Sequence, residues 1–135
     1  MRIAVDFDGT IVEHKFPAIG KPMLFAFETL RELQKEHQLI LWTYRHGEAL
    51  EEAISFCREN GIEFYAVNSN YPEEQFDHRS VSRKIDADIY IDDRNIGGFP
   101  GWSEIWKMIQ NENNHTDINK QIKTLPKKKF LFFRK

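Results

Sequence analysis

Arg2-Ile3-Ala4-Val5-Asp6-Phe7-Asp8-Gly9-Thr10 joins a short apolar run to two carboxylates spaced i, i+2, a glycine and a hydroxyl. Ile3-Ala4-Val5 has the composition of a strand buried on both faces, as in a parallel sheet. Gly9 permits a sharp turn directly after it. Burying an unpaired carboxylate costs several kcal/mol or forces protonation, so acids at the end of such a strand are poor stabilisers. At the carboxyl edge of a parallel sheet, where open α/β folds bind ligands, they make a site.

Outward from this strand, β and α patterns alternate. Residues 11–20 read as a short loop, and Pro22 suits the first turn of a helix carrying Met23, Phe27, Leu30 and Leu33 on one face. Leu39-Ile40-Leu41-Trp42 reads as a second buried strand ending at Thr43. Gly47–Asn60 is amphipathic and stopped by Gly61, and Ile62–Val67 is a third strand. Asn68–Ser82 is polar and reads as loop with one turn of helix. Ala87–Ile91 is a fourth strand leading into Asp92-Asp93, and a glycine-rich loop precedes a last short helix from Trp102 to Ile109. This alternation predicts a doubly wound α/β fold: a parallel sheet with right-handed crossovers and helices on both faces.

The chain has 135 residues, 41% hydrophobic and 30% charged, which suits one soluble globular domain. It has no apolar run near the roughly 18–20 residues of a membrane span. The first strand begins almost at once, which leaves no room for a signal peptide. A single cysteine, Cys57, excludes an internal disulfide and shares a helical stripe with Leu50, Ala53 and Ile54, so it reads as a buried core thiol in a cytoplasmic protein. The net charge of −2 divides unevenly: residues 112–135 hold seven basic and two acidic groups, leaving an acidic body in residues 1–111. An acidic body argues against nucleic-acid binding over the whole domain.

Polar residues at strand ends form a set: Asp6 and Asp8, Thr43, and Asp92 with Asp93, with Lys84 just before the fourth strand. Parallel strands bring such ends to one edge. Several carboxylates, a hydroxyl and an amine suit Mg²⁺, and the absence of histidine and cysteine from the set argues against zinc.

In their order, Asp6-Phe7-Asp8-Gly9-Thr10, Thr43, Lys84 and Asp92-Asp93 resemble the four motifs of the haloacid dehalogenase superfamily, over roughly residues 1–111. The resemblance implies a Rossmann-like core and a phosphatase using an aspartyl-phosphate intermediate. Asp6 would be the nucleophile. Asp8 would serve as acid and then base, and Thr43 and Lys84 would hold the phosphoryl oxygens. Mg²⁺ would be bound by the Asp6 carboxylate, the Asp8 carbonyl and a fourth-motif acid, with Asp93 the favoured ligand and Asp92 supporting Lys84. An Asp at the position of Asp8 goes with phosphate-ester hydrolysis in that superfamily. The gaps after the first motif and between Thr43 and Lys84 are too short for an inserted cap, so a capless, open site is expected. Such a site suits a phosphorylated macromolecule, or a small molecule enclosed by a second copy in a homo-oligomer.

Two other classes stand beside this reading. A receiver-like signalling module also uses acids, a Thr and a Lys on a doubly wound sheet, but its phospho-acceptor follows the third strand, which here ends at Val67-Asn68. A non-catalytic binding protein on the same fold would be expected to lack part of the motif set, and none is missing. Arg45 is placed with the phosphate-binding residues, against the alternative of a surface arginine at a helix start. His14, His37, His78 and His115 read as solvated, Asn68 and Asn70 as turn formers or substrate contacts, and Trp102 and Trp106 as core. Asn111–Thr116 reads as a linker before a basic and aromatic tail, for which local packing ranks ahead of contact with nucleic acid, a membrane surface or another subunit.

Overall fold

The computed structural model describes residues 1–111. The chain divides into two compact units, Met1–Trp102 and Ser103–Lys135, and the sheet and all candidate site residues belong to the first. Its elements are β1 (Arg2–Val5), α1 (Ala26–Leu33), β2 (Gln38–Leu41), α2 (Gly47–Glu59), β3 (Ala66–Val67) and β4 (Ile89–Ile91). A further helix begins at Trp102 and continues to residue 111. The expected linker and tail, residues 112–135, lie outside the described residues. Among the described residues, no helix is long and apolar enough to cross a membrane.

The four strands form one parallel sheet in the order β3-β2-β1-β4, so the fold is α/β. Ile3, Ala4 and Val5 are fully buried, as are Ile40 and Leu41 beside them. Burial on both faces explains the continuous apolar runs. The chain builds outward from β1 through β2 to β3, then returns to place β4 on β1's other side. The order therefore reverses between β1 and β4, where an open parallel sheet leaves a crevice at its carboxyl edge. The ladder runs past the strand ends, with Asp6 N–H donating to Ile91 O (2.9 Å) and Trp42 N–H to Val5 O (2.8 Å).

Three elements differ most from the sequence expectation, while β4 loses only Ala87 and Asp88 of the expected Ala87–Ile91. The first helix begins at Ala26 rather than at Pro22, because Pro22 bridges to Val12 and Met23 N–H donates to Ile11 O. Pairing of the chain with itself across residues 11–23 overrides the helical start signal. The third strand keeps only Ala66–Val67 of the expected Ile62–Val67. Ile62 is used to close α2, its N–H donating to Cys57 O behind the left-handed Gly61. No helical turn forms in 68–82, which holds turns and bends.

Phe56 of α2 meets Phe27 of α1 edge-on (5.7 Å) and Phe7 of the turn after β1 (6.5 Å), so both helices pack near the first motif. Cys57 is buried as expected, and burial pushes its thiol up to about 12, which keeps it protonated and unreactive.

Candidate active site

The turn that follows β1 sets the site. Phe7 O accepts from the N–H groups of Thr10 (3.2 Å), Ile11 (2.9 Å) and Val12 (3.3 Å), and Gly9 N–H donates to Val12 O (2.7 Å). Thr10, Ile11 and Val12 are fully buried. The Thr10 carbonyl accepts from the buried indole of Trp102 (2.8 Å), so this indole ties the turn down from outside. Gly9 is required twice over. Its φ is +84°, and an added Cβ would lie 2.3 Å from an Asp93 carboxylate oxygen.

That close approach assembles three acids across two strands. Oxygens of Asp6, Asp92 and Asp93 lie within 4.8 Å of one another. The Thr10 hydroxyl lies 3.0 Å from Asp6 Oδ2 and 3.3 Å from Asp93 Oδ1, a link between the turn and the end of β4. Burial pushes the Asp6 carboxyl up to about 7 against the stabilising bond from Thr10, and the neighbouring Asp92 and Asp93 add to the rise. Asp92 Oδ1 accepts from Arg94 N–H (3.1 Å), and its carbonyl accepts from the Asn95 amide (2.6 Å).

Asp8 points to a different partner. Its two oxygens accept from Nε and Nη2 of Arg45, each at 2.7 Å. Arg45 is only 2% exposed. Its remaining N–H groups reach the carbonyls of Pro17 (3.1 Å), Ala49 (3.2 Å) and Ala18 (2.9 Å), and its guanidinium lies between the Phe7 and Phe16 rings. All five donors are engaged. The expectation that Arg45 binds phosphate is therefore corrected: it is a buried clamp on Asp8, with no N–H left for a ligand.

A cleft of about 560 Å³ opens over these groups, lined by Asp6, Asp8, Thr43 and Asp92 and by His14, Phe16, Trp42, Tyr44, Arg45 and Arg94. Thr43 faces it from the end of β2. Its N–H donates to Asn68 Oδ1 (2.8 Å), and its hydroxyl accepts from Arg45 N–H (3.1 Å). Asn68 thus shapes the Thr43 loop from a left-handed position (φ 49°). Asn70 is also a brace, donating to Glu74 and accepting from Asp86 N–H (2.7 Å).

A solved structure described as that of the conserved protein coded by a locus from Bacteroides thetaiotaomicron is 57% identical, with a TM-score of 0.78. The match covers 87% of this chain and 96% of that one. The chain belongs to that protein's family. No protein-family model and no curated protein matches it.

For this member of the family, the sequence set and the observed site overlap but are not identical. Asp6, Asp8, Thr43 and Asp92 line the cleft, while Asp93 joins the acidic cluster from beneath Thr10 and Gly9. Lys84 is not among the lining residues. It is exposed, with its ammonium over the Tyr90 ring (5.5 Å to the centroid), and it forms no ion pair with Asp92 among the described residues. The expected support of Lys84 by Asp92 is therefore replaced by a cation–π contact. His14 is exposed, as its solvated reading expects, and it also lines the cleft, as do Phe16, Trp42, Tyr44 and Arg94. Adjacency was the available signal for these, since they flank the first, second and fourth motifs.

Proposed function

We propose that the protein is a Mg²⁺-dependent phosphomonoester hydrolase of the haloacid dehalogenase type, with a capless core and an aspartyl-phosphate intermediate on Asp6. One observation carries this reading: Asp6, Asp92 and Asp93 meet at the point where the strand order reverses, with Asp8 two positions on and open to the same cleft. The absence of a cap is supported by what lies between β2 and Lys84, namely α2, the short β3 and a loop. A single buried thiol and the lack of disulfides suit action in the cytoplasm.

The donor set fits the metal. Three carboxylates with oxygens within 4.8 Å of one another suit a hard divalent cation with oxygen preference, and no histidine or cysteine belongs to the cluster. The Asp6 carboxylate, one of Asp92 and Asp93, and the Asp8 carbonyl would hold it. Bound there, Mg²⁺ would screen the repulsion between a phosphate dianion and an attacking carboxylate.

The residues then divide the work. An Asp6 oxygen attacks phosphorus, and the bond to the leaving oxygen breaks. The Asp8 carboxyl supplies the proton that this oxygen needs, and later takes one from the water that hydrolyses the acyl phosphate, returning Asp6 and free phosphate. Both Asp8 oxygens accept from Arg45, so proton donation requires the carboxyl to turn from the guanidinium. Thr43 offers its hydroxyl to the phosphoryl group from the cleft wall. Lys84 reaches it only by leaving Tyr90.

Phosphate release from a panel of phosphomonoesters tests the reading directly. The full chain is expected to release phosphate with Mg²⁺, to stop in EDTA and to be inactive as Asp6→Asn. No release from any ester, or equal release by Asp6→Asn, would overturn it.

A further inference from the structure

Above its acidic floor the cleft has walls that the hydrolytic mechanism does not use. Phe16, Trp42 and Tyr44 line it together. Tyr44 is 94% exposed, although it directly follows the phosphate-facing Thr43. Phe16 is 49% exposed and has the Arg45 guanidinium 5.1 Å from its centroid, which steadies the ring while leaving half its surface open. Trp42 is half-buried and held edge-on by Tyr90 at 5.2 Å. Two rings are thus fixed by neighbours, and a third stands free at the mouth. Rigid aromatic side chains offer large, flat contact area at small entropic cost. Among the described residues, His14 and Arg94 are the other basic side chains of the wall besides the engaged Arg45. A volume of about 560 Å³ falls in the usual range for small-molecule clefts, with room for a phosphate and one ring-bearing group.

We infer that the site takes small phosphomonoesters whose leaving group carries a planar ring, with Tyr44 as the main residue that selects for the ring. The inference rests on the phosphatase reading for the position of the phosphate and on the aromatic wall for the rest. A nucleobase and a phenol ring share the required chemistry.

Binding separates this inference from turnover. Full-length Asp6→Asn protein, which does not consume ligand, is titrated with AMP and with ribose 5-phosphate in Mg²⁺, followed by calorimetry and by quenching of tryptophan fluorescence. Phosphotyrosine against phosphoserine forms a second pair. Stacking of one base contributes about 1–3 kcal/mol, so the ring-bearing member of at least one pair is expected to bind about fivefold tighter or more. Tyr44→Ala, at an exposed position that folding does not depend on, is expected to bring that ratio close to one. Equal affinity within both pairs, no binding at all, or a preference unchanged by Tyr44→Ala would each overturn the inference. Ring-dependent binding without hydrolysis by the wild-type chain would sustain it and sink the phosphatase reading. Hydrolysis with no ring preference in binding would do the reverse.

Discussion

The turn at residues 6–12 and the connection at 68–86 both lead toward the sheet edge, and both were expected to bring chemistry there. They are built in opposite ways. In the first, seven residues carry four backbone hydrogen bonds among themselves, four fully buried side chains and an indole tether from Trp102. In the second, residues 71–80 are mostly exposed, and order comes from local bonds such as Val81 N–H to Asp77 O (2.7 Å) and from the Asn70 brace. The tight turn fixes Asp6 against Asp92 and Asp93. The long connection leaves Lys84 on Tyr90, outside the cleft. A catalytic group attached directly to a buried strand inherits its precision, whereas one at the end of a loop must gain its position from a ligand.

Changes in the tight turn should therefore be the most damaging to activity. Asp6→Asn is expected to abolish phosphate release, by several orders of magnitude in kcat. It should also stabilise the metal-free protein at neutral pH. Folded Asp6 holds its proton up to about 7, whereas the unfolded group releases it near 3.8. As pH rises between those values the unfolded state is favoured, so wild type loses stability that the asparagine variant keeps. Thermal melts in EDTA should show similar midpoints at pH 4 and a higher midpoint for the variant at pH 8. Coincident midpoints at pH 8 would contradict the burial argument.

Arg45→Met tests the clamp. Removing one partner of a buried ion pair typically costs about 3–5 kcal/mol, and denaturant melts should register a loss of that order. Arg45→Lys keeps the charge but not the fork. It should lower kcat with little change in KM, because the guanidinium touches Asp8 and has no free donor for substrate.

Next in size comes Gly9→Ala. A Cβ there meets the Asp93 carboxylate, so the Mg²⁺ concentration for half-maximal activity should rise about tenfold or more. Gly97→Ala is the control: that glycine also has positive φ (+91°) but nothing within 4 Å of the added atom. It should cost about 1 kcal/mol of stability and leave the metal requirement alone. Equal effects at both positions would mean that backbone strain, and not the approach of Asp93, explains Gly9.

The smallest effects belong to the long connection. Asn70→Ala removes the bonds to Glu74 and Asp86 and is expected to raise KM a few-fold with kcat nearly unchanged. A large fall in kcat would show that this loop is as tightly coupled to catalysis as the turn.

The contrast also explains what could be read from sequence. Ile3-Ala4-Val5 and its acids were legible because local pattern and burial agree there. Gly9 was legible as a turn residue, but its contact with Asp93 joins positions far apart in the chain. The Arg45–Asp8 pair was misread for the same reason: Arg45 lies two residues from Thr43 in sequence, while its partner lies 37 residues earlier. The start of α1 failed because Pro22 is an equally good residue for the bridge to Val12. The aromatic wall was invisible because Phe16, Trp42 and Tyr44 belong to no shared periodicity. Their meeting is a property of the sheet edge.

The order of strands also bears on how the acidic cluster comes together. β1 can find β2 early, since the two are joined by one helix. Its other neighbour, β4, is supplied from the far end of the first compact unit. The Thr10–Asp93 bond spans 83 residues, so the acidic cluster is among the most non-local features of the chain. Loop-closure entropy makes such contacts late events in folding. During synthesis Asp6 precedes Asp92 and Asp93 and meets these acidic neighbours only after β4 has left the ribosome and docked. The acidic cluster therefore forms only when the unit around it is nearly complete, and on the proposed reading a stalled nascent chain would carry Asp6 without the partners that its chemistry needs.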